Sequence, residues 1–382
     1  MNSGLKIAYL SSETPLNKRV WSGTHHSIYT ALKQIGSVEI LGPYEPQWCI
    51  LKGKILHKLS LMFFGKRYNY RHSHSLSKAY AAYFEKRIRQ IKPDVIVAPA
   101  ASCEIAHLHT NIPIIYISDG TFDSCLNYHK SLSNLNKKSL LEGHQIEQMA
   151  IGKSAQVIVS SAWAAKSVVN DYGKSENFVH TIPFGANFEL LPEQNEIIDK
   201  SLKPFKLLFV GVYWQSKGGD IAYHAFKLLE KNGYDVTLTI VGCQPDLPAN
   251  NDRIKCIKFI DKNSPDGQRH LADIYQQHHL LLLPTRFDCT PIVINEASAF
   301  GIPSLVSNTG GVEGHLKENQ NGKLIPYTDK GELFAKAIEQ LIVNPDAYLA
   351  LRKNSRALYV NLLNWDHWLN EFKKLLPIKA NV

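Results

Sequence analysis

Short apolar runs that end in small residues alternate with helix-like stretches along this chain, a pattern suited to parallel strands joined by helical crossovers. In the first half the runs are Lys6 to Ser12, Val38 to Pro43, Asp94 to Pro99, Pro113 to Ser118, Gln156 to Ser161 and Phe178 to Phe184. In the second they are Lys206 to Val212, Val236 to Gly242, Ile254 to Ile260, Leu280 to Thr285, Pro303 to Ser307 and Gly322 to Pro326. With 382 residues and roughly 150 per domain, the expectation is an α/β protein of two doubly wound parallel-sheet domains. The seam is expected in the polar stretch Glu189 to Pro204, giving domains at 1–188 and 189–361. A last amphipathic segment, about 362–382 with Trp368 and Phe372 on one side, is expected to pack back on the first domain.

A chain that is 44% hydrophobic and only 20% charged is neither disordered nor fibrous. No apolar run reaches the roughly 18 residues of a membrane span, and the start MNSGLKIAYLSSE lacks a signal-peptide pattern, so a cytoplasmic protein is expected. The six cysteines form no CxxC pair and no metal-ligand spacing, and read as reduced, mostly buried thiols; no metal is expected. The net charge of +9 is concentrated: residues 50–92 hold eleven Lys and Arg against Glu85 alone. Such a block suits an anionic membrane surface, an anionic acceptor or nucleic acid.

Ligands of open parallel sheets bind beyond the carboxyl ends of the strands, so the loops there hold the candidates. After the first strand, Trp21-Ser22-Gly23-Thr24-His25 opens a helix, and Gly23 reads either as a plain turn or as a close approach for a phosphate. After the first strand of the second half comes Gly211 to Gly219, where Lys217 reads either as a diphosphate cation or as a solvated lysine. GxGxxG is absent, which argues against a nicotinamide dehydrogenase. The stretch LLLLPTRFDCTPIVINEASAFGIPSLVSNTGG reads as a buried strand, a loop with Asp288, and a helix entered at Thr290-Pro291 with Glu296 in its middle. The amides of Ile292 and Val293 at the helix start are candidate anion donors.

This combination resembles the retaining glycosyltransferases of family 4, whose GT-B fold has two facing Rossmann-like domains. The matching residues are Asp288, Glu296-Ala297-Ser298-Ala299-Phe300-Gly301-Ile302-Pro303 and Gly310-Gly311, with Ile182-Pro183-Phe184-Gly185-Ala186-Asn187, Phe209-Val210-Gly211, Lys217-Gly218-Gly219, Ser22-Gly23-Thr24 and Ser160-Ser161-Ala162-Trp163. The resemblance covers nearly the whole chain and is weakest over residues 44–92. It implies a nucleotide-diphosphate sugar donor, a glycan or lipid-linked acceptor, retention at the anomeric carbon, and neither cofactor nor metal.

By the same resemblance Glu296 holds the ribose hydroxyls, Lys217 the diphosphate, Thr290 to Val293 a backbone cradle, Asp288 the sugar hydroxyls, and Gly23 admits the donor. Asp119 stands where the family often carries a histidine facing the transferred sugar; it reads equally as a turn cap. His25, His26, Asn187 and Glu313 are weaker candidates. Val212 replaces a frequent arginine, Pro291 a frequent glycine, and Asp288 the first glutamate. Arg286 reads either as a replacement cation or as a salt-bridge partner of Asp288. Sugar transfer in envelope or polysaccharide synthesis is the favoured function; the others are a catalytically weak nucleotide-sugar binder and a basic nucleic-acid-binding protein. The aromatic-rich basic block suits a peripheral membrane element on the inner face, or else core aromatics under a solvated face.

Overall fold

The computed structural model describes residues 4–192, 201–248 and 251–377. Residues 193–200 of the expected seam, and 378–382 of the last segment, lie outside the described residues. The chain divides into two compact units: Met1–Ile182 with Leu369–Val382, and Pro183–Trp368. The division falls within the helix Trp365–Lys373.

The first unit has six parallel strands, β1 (Leu5–Tyr9), β2 (Gly36–Ile40), β3 (Val95–Pro99), β4 (Ile114–Ser118), β5 (Gln156–Val159) and β6 (Val179–Thr181), in the order β2-β1-β3-β4-β5-β6. The second has β7 (Phe205–Val210), β8 (Val236–Val241), β9 (Ile254–Ile257), β10 (Leu280–Leu283), β11 (Ser304–Ser307) and β12 (Gly322–Ile325), in the order β12-β11-β10-β7-β8-β9. The order reverses direction between β1 and β3 in one sheet and between β7 and β10 in the other. Crossovers leave in opposite directions at those points and open a crevice above the strand ends.

Burial on both faces explains the continuous apolar strands. In β10, Leu280 and Leu282 enter one core with Phe226 and Phe334, while Leu281 and Leu283 enter the other with Ile294 and Phe300. Each such leucine contributes roughly 1.5–3 kcal/mol of burial. The first unit packs Ala8, Ile96, Tyr116 and Val157 against Tyr80, Phe84 and Ile146. Helix starts follow local chemistry: Ser264 accepts from the Gly267 amide at 3.0 Å with Pro265 in the first turn. Gly218, at φ +70°, starts the helix Gly219–Lys231, whose Ala222, Phe226 and Leu229 are buried as their spacing predicts.

The basic block forms two helices with different fates. His74–Ile91 buries Leu76, Tyr80, Phe84 and Ile88. Gln47–Phe64 buries only Ile50, Gly53 and Ser60, so Met62, Phe63 and Phe64 are not core aromatics or core apolar groups; they lie exposed. The cysteines also depart from expectation, since only Cys103 and Cys289 are buried.

Candidate active site

In the second unit the candidates gather over the reversal point between β7 and β10. Lys217, from the loop after β7, places Nζ 2.6 Å from Asp288 Oδ2 in the loop after β10. Asp288 is buried, and its carbonyl accepts from the Gly311 amide at 3.0 Å. Glycine is required at 218: besides its positive φ, an added Cβ would stand 1.8 Å from the Pro284 carbonyl oxygen. Gly211 lies against the Lys217 stem, where a Cβ would meet Cγ at 3.0 Å. These close approaches hold the lysine loop down on the β10 loop.

Arg286 does not pair with Asp288. Its guanidinium grips both oxygens of Asp220 at 2.7 Å and donates to the Gln215 carbonyl at 2.5 Å. The grip holds the Asp220 carboxyl below its ordinary pKa. Arg286 thus ties the lysine loop to the next helix and leaves Asp288 to Lys217.

Glu296 is fully buried on the helix Ile292–Ala299. Lys262 Nζ, after β9, lies 2.6 Å from its Oε1, and the Tyr275 hydroxyl donates to Oε2 at 3.0 Å. Burial first, and then this carboxylate, push the Tyr275 phenol well above its usual pKa. Phe300 stacks on Tyr275 and Phe188 meets it edge-on, and the Lys262 ammonium lies 5.6 Å from the Phe188 ring centre. Both carboxylate oxygens of Glu296 are thus engaged, one by Lys262 and one by Tyr275.

The helix start differs from a fully open anion cradle. Pro291 precedes the helix without an N–H, the Ile292 amide donates to the Thr290 carbonyl at 2.9 Å, and the Ile294 amide to the Pro291 carbonyl at 2.9 Å. The expectation of an open Ile292 donor is corrected by that turn. Val293 is half-buried beside the core, and Thr290 half-buried at the loop tip. Asn187 belongs to this unit; its Oδ1 accepts from the Trp365 indole at 3.2 Å.

In the first unit, Trp21, Ser22 and Gly23 are consecutively left-handed, at φ 48°, 57° and 96°, and deliver the chain into the helix Thr24–Leu32. Trp21 Nε1 donates to Asp119 Oδ2 at 2.9 Å. The short helix Phe122–Cys125 is capped by Thr121, which accepts from the Ser124 amide, so Asp119 is not its cap. His25 is buried, with Nδ1 2.7 Å from the Tyr9 hydroxyl, and burial lowers its pKa to about 4. It is neutral at pH 7 and cannot serve as a cation there. His26 Nδ1 lies 3.1 Å from the Pro15 carbonyl.

Sequence reasoning overlooked Trp21 as a partner of Asp119, Lys262 and Tyr275 as partners of Glu296, and Glu104. Glu104 is buried after β3, accepts from the Ser12 amide at 3.2 Å across the β1–β3 reversal point, and is raised in pKa by burial. Only Trp21 carried a signal, its place directly before Ser22-Gly23-Thr24. Lys262 follows a short strand in no recognisable pattern.

Residues 204–344, within the second unit, match the family model of glycosyl transferases group 1. Two Rossmann-like parallel-sheet units in one chain are the α/β architecture of the GT-B glycosyltransferases. The solved structure of sucrose-phosphate synthase from Thermosynechococcus elongatus is similar over 97% of this chain and 98% of its own, with a TM-score of 0.71 at 17% identity. An uncharacterized glycosyltransferase of Haemophilus influenzae is 26% identical over 242 residues, 60% of this chain and 67% of that protein. D-inositol 3-phosphate glycosyltransferase 1 of Catenulispora acidiphila is 26% identical over 223 residues, 54% of this chain and 53% of its own. The match thus spans about half to two thirds of these curated relatives.

Proposed function

We propose that the protein is a retaining glycosyltransferase that moves a hexose-type sugar from a nucleotide-diphosphate sugar to a glycan or lipid-linked acceptor, without a metal, in envelope or polysaccharide synthesis. The observation that carries this reading is the pairing of Lys217 with Asp288 at the β7–β10 reversal point, inside the segment that matches the glycosyltransferase family. Lys217 binds the diphosphate and offsets the charge that grows on it as the glycosidic bond breaks, while Asp288 holds the ammonium and accepts from sugar hydroxyls. Each oxygen of Glu296 already accepts one bond and keeps a second lone pair, which suits two adjacent ribose hydroxyls once Lys262 is displaced. Thr290 and the Val293 amide complete the cradle. The family resemblance assigns Asp119 to the transferred sugar and Gly23 to admitting the donor. The relative named for D-inositol 3-phosphate favours an anionic acceptor, met at an anionic membrane surface by the basic residues 50–92 on the cytoplasmic face.

A donor-binding protein without turnover is the second reading, favoured by the missing N–H of Pro291 and the occupied amide of Ile292. Calorimetry across nucleotide sugars, followed by a transfer assay with the one that binds, separates the two. Glu296→Gln is expected to weaken donor binding by about tenfold or more, since an amide oxygen replaces a charged acceptor. Unchanged affinity in the folded variant overturns the ribose assignment, and binding without transfer to any acceptor supports the second reading.

A further inference from the structure

The helix Gln47–Phe64 is attached to the first unit by a narrow face of Ile50, Gly53 and Ser60. Gly53 lies on the Tyr70 side chain, where a Cβ would meet carbon at 2.4 Å, and Ser60 Oγ donates to the Lys66 carbonyl at 2.7 Å. The opposite face carries Trp48, Leu51, Ile55, Leu59 and Met62 at spacings of three and four residues, a continuous apolar stripe. It points into solvent: Trp48 is 84% exposed, and the stripe ends in Phe63 and Phe64 at 68% and 76%. A stripe of this size marks an interaction surface.

Beside it opens a cavity of about 540 Å³ that shares Leu51 and Ile55 with the stripe and is lined by Lys54, Lys58, Arg67 and Arg71, with no carboxylate in its wall. Arg67 also donates to the Lys130 carbonyl at 2.5 Å, and Arg71 lies 3.9 Å from the half-exposed Glu45. The helix itself holds Lys52, Lys54 and Lys58 and no acid.

We propose that this face docks on a bilayer, with the apolar stripe inserted at the headgroup boundary and the phosphate of an anionic phospholipid held in the cavity by Lys54, Lys58, Arg67 and Arg71. Charge selects this occupant over a second copy of the chain, because pairing two such helices would bring their lysines together without a balancing acid. At about 1.5 Å per residue the helix lies some 27 Å along the surface, burying its stripe roughly 5–10 Å deep. Among the described residues no helix is long and apolar enough to cross a membrane, which fits lying in the interface. The inference stands without the donor chemistry, although a surface-bound first unit would meet a lipid-linked acceptor there.

The test is sedimentation of the full chain with vesicles of phosphatidylcholine alone or mixed with phosphatidylglycerol; no sugar nucleotide is present, so its failure leaves the transferase reading untouched. Wild type is expected on the mixed vesicles and not on the neutral ones, with a fraction retained when salt is raised to about 0.5 M. Lys54→Gln with Lys58→Gln is expected to weaken binding by at least about tenfold. Trp48→Ser with Ile55→Ser and Met62→Ser is expected to abolish the salt-resistant fraction. All these side chains are exposed, so both variants should unfold at the wild-type temperature. Equal sedimentation of wild type and both variants overturns the proposal. Equal binding of wild type to neutral vesicles, or a dimer that the stripe variant dissolves, overturns it as well. Release by millimolar inorganic phosphate would assign the cavity to free phosphate instead.

Discussion

Glu296 and Asp288 are both buried carboxylates on one loop–helix segment, and each is met by a lysine from another loop: Lys262 in one case and Lys217 in the other. Removing either lysine takes the cation from a buried carboxylate, so loss-of-charge variants report stability as well as binding. Glu147 in the first unit is a different case, because its buried partner is neutral. The Tyr116 hydroxyl donates to its Oε1 at 2.8 Å, and burial raises the carboxyl pKa to about 7. The folded state thus holds a proton that the unfolded chain, near the ordinary value of 4.5, releases first. This contribution is complete below about pH 4.5 and is lost as pH rises through about 7. Glu147→Gln does not titrate, so its stability relative to wild type is expected to improve by about 3 kcal/mol between about pH 4.5 and pH 8. Urea unfolding of both proteins at the two pH values measures it, and a constant difference overturns the assignment.

Among elements, the helix Gly219–Lys231 shows how a site loop is positioned. Its start needs a left-handed residue directly under the Pro284 carbonyl, and Gly218 alone satisfies both demands. Gly218→Ala is therefore expected to cost at least about 2 kcal/mol, combining left-handed strain with a backbone clash. Gly233, at φ +82° with nothing near an added Cβ, supplies the comparison: Gly233→Ala should cost only about 1 kcal/mol. Equal losses, measured by denaturant unfolding, would show that the Pro284 contact is not limiting. This helix was legible in the sequence because Ala222, Phe226 and Leu229 share a face and a glycine pair precedes them. Helix Gln47–Phe64 was not legible in the same way, since most of its apolar residues sit on the solvent side and its packed side is Ile50, Gly53 and Ser60. Periodicity shows that a face is apolar, not which way it turns.

For the whole molecule, two units with separate cores mean that a donor bound by the second unit should stabilise that unit directly. At about a hundred times its dissociation constant, a nucleotide sugar is expected to add roughly 2.7 kcal/mol, a rise of about 5–10 °C for a unit of this size. A thermal melt with and without ligand reads it, and no shift with any nucleotide sugar would count against the transferase reading.

The sequence by itself determined the two parallel sheets, with all twelve strands near their expected places, and the segment of the second unit where Lys217, Asp288 and Glu296 gather. Strand burial and loop glycines are local properties, written in runs of three to six residues. The tertiary structure decided the partners. Lys262 comes to Glu296 across 34 residues, Asp220 to Arg286 across 66, and Trp21 to Asp119 across 98. Only the Asp220–Arg286 pair joins loops after neighbouring strands, β7 and β10; the other two bring together loops whose strands are separated in the sheet by at least one other strand. Which loops meet is set by chain crossing and core packing, and no local period in the sequence encodes it.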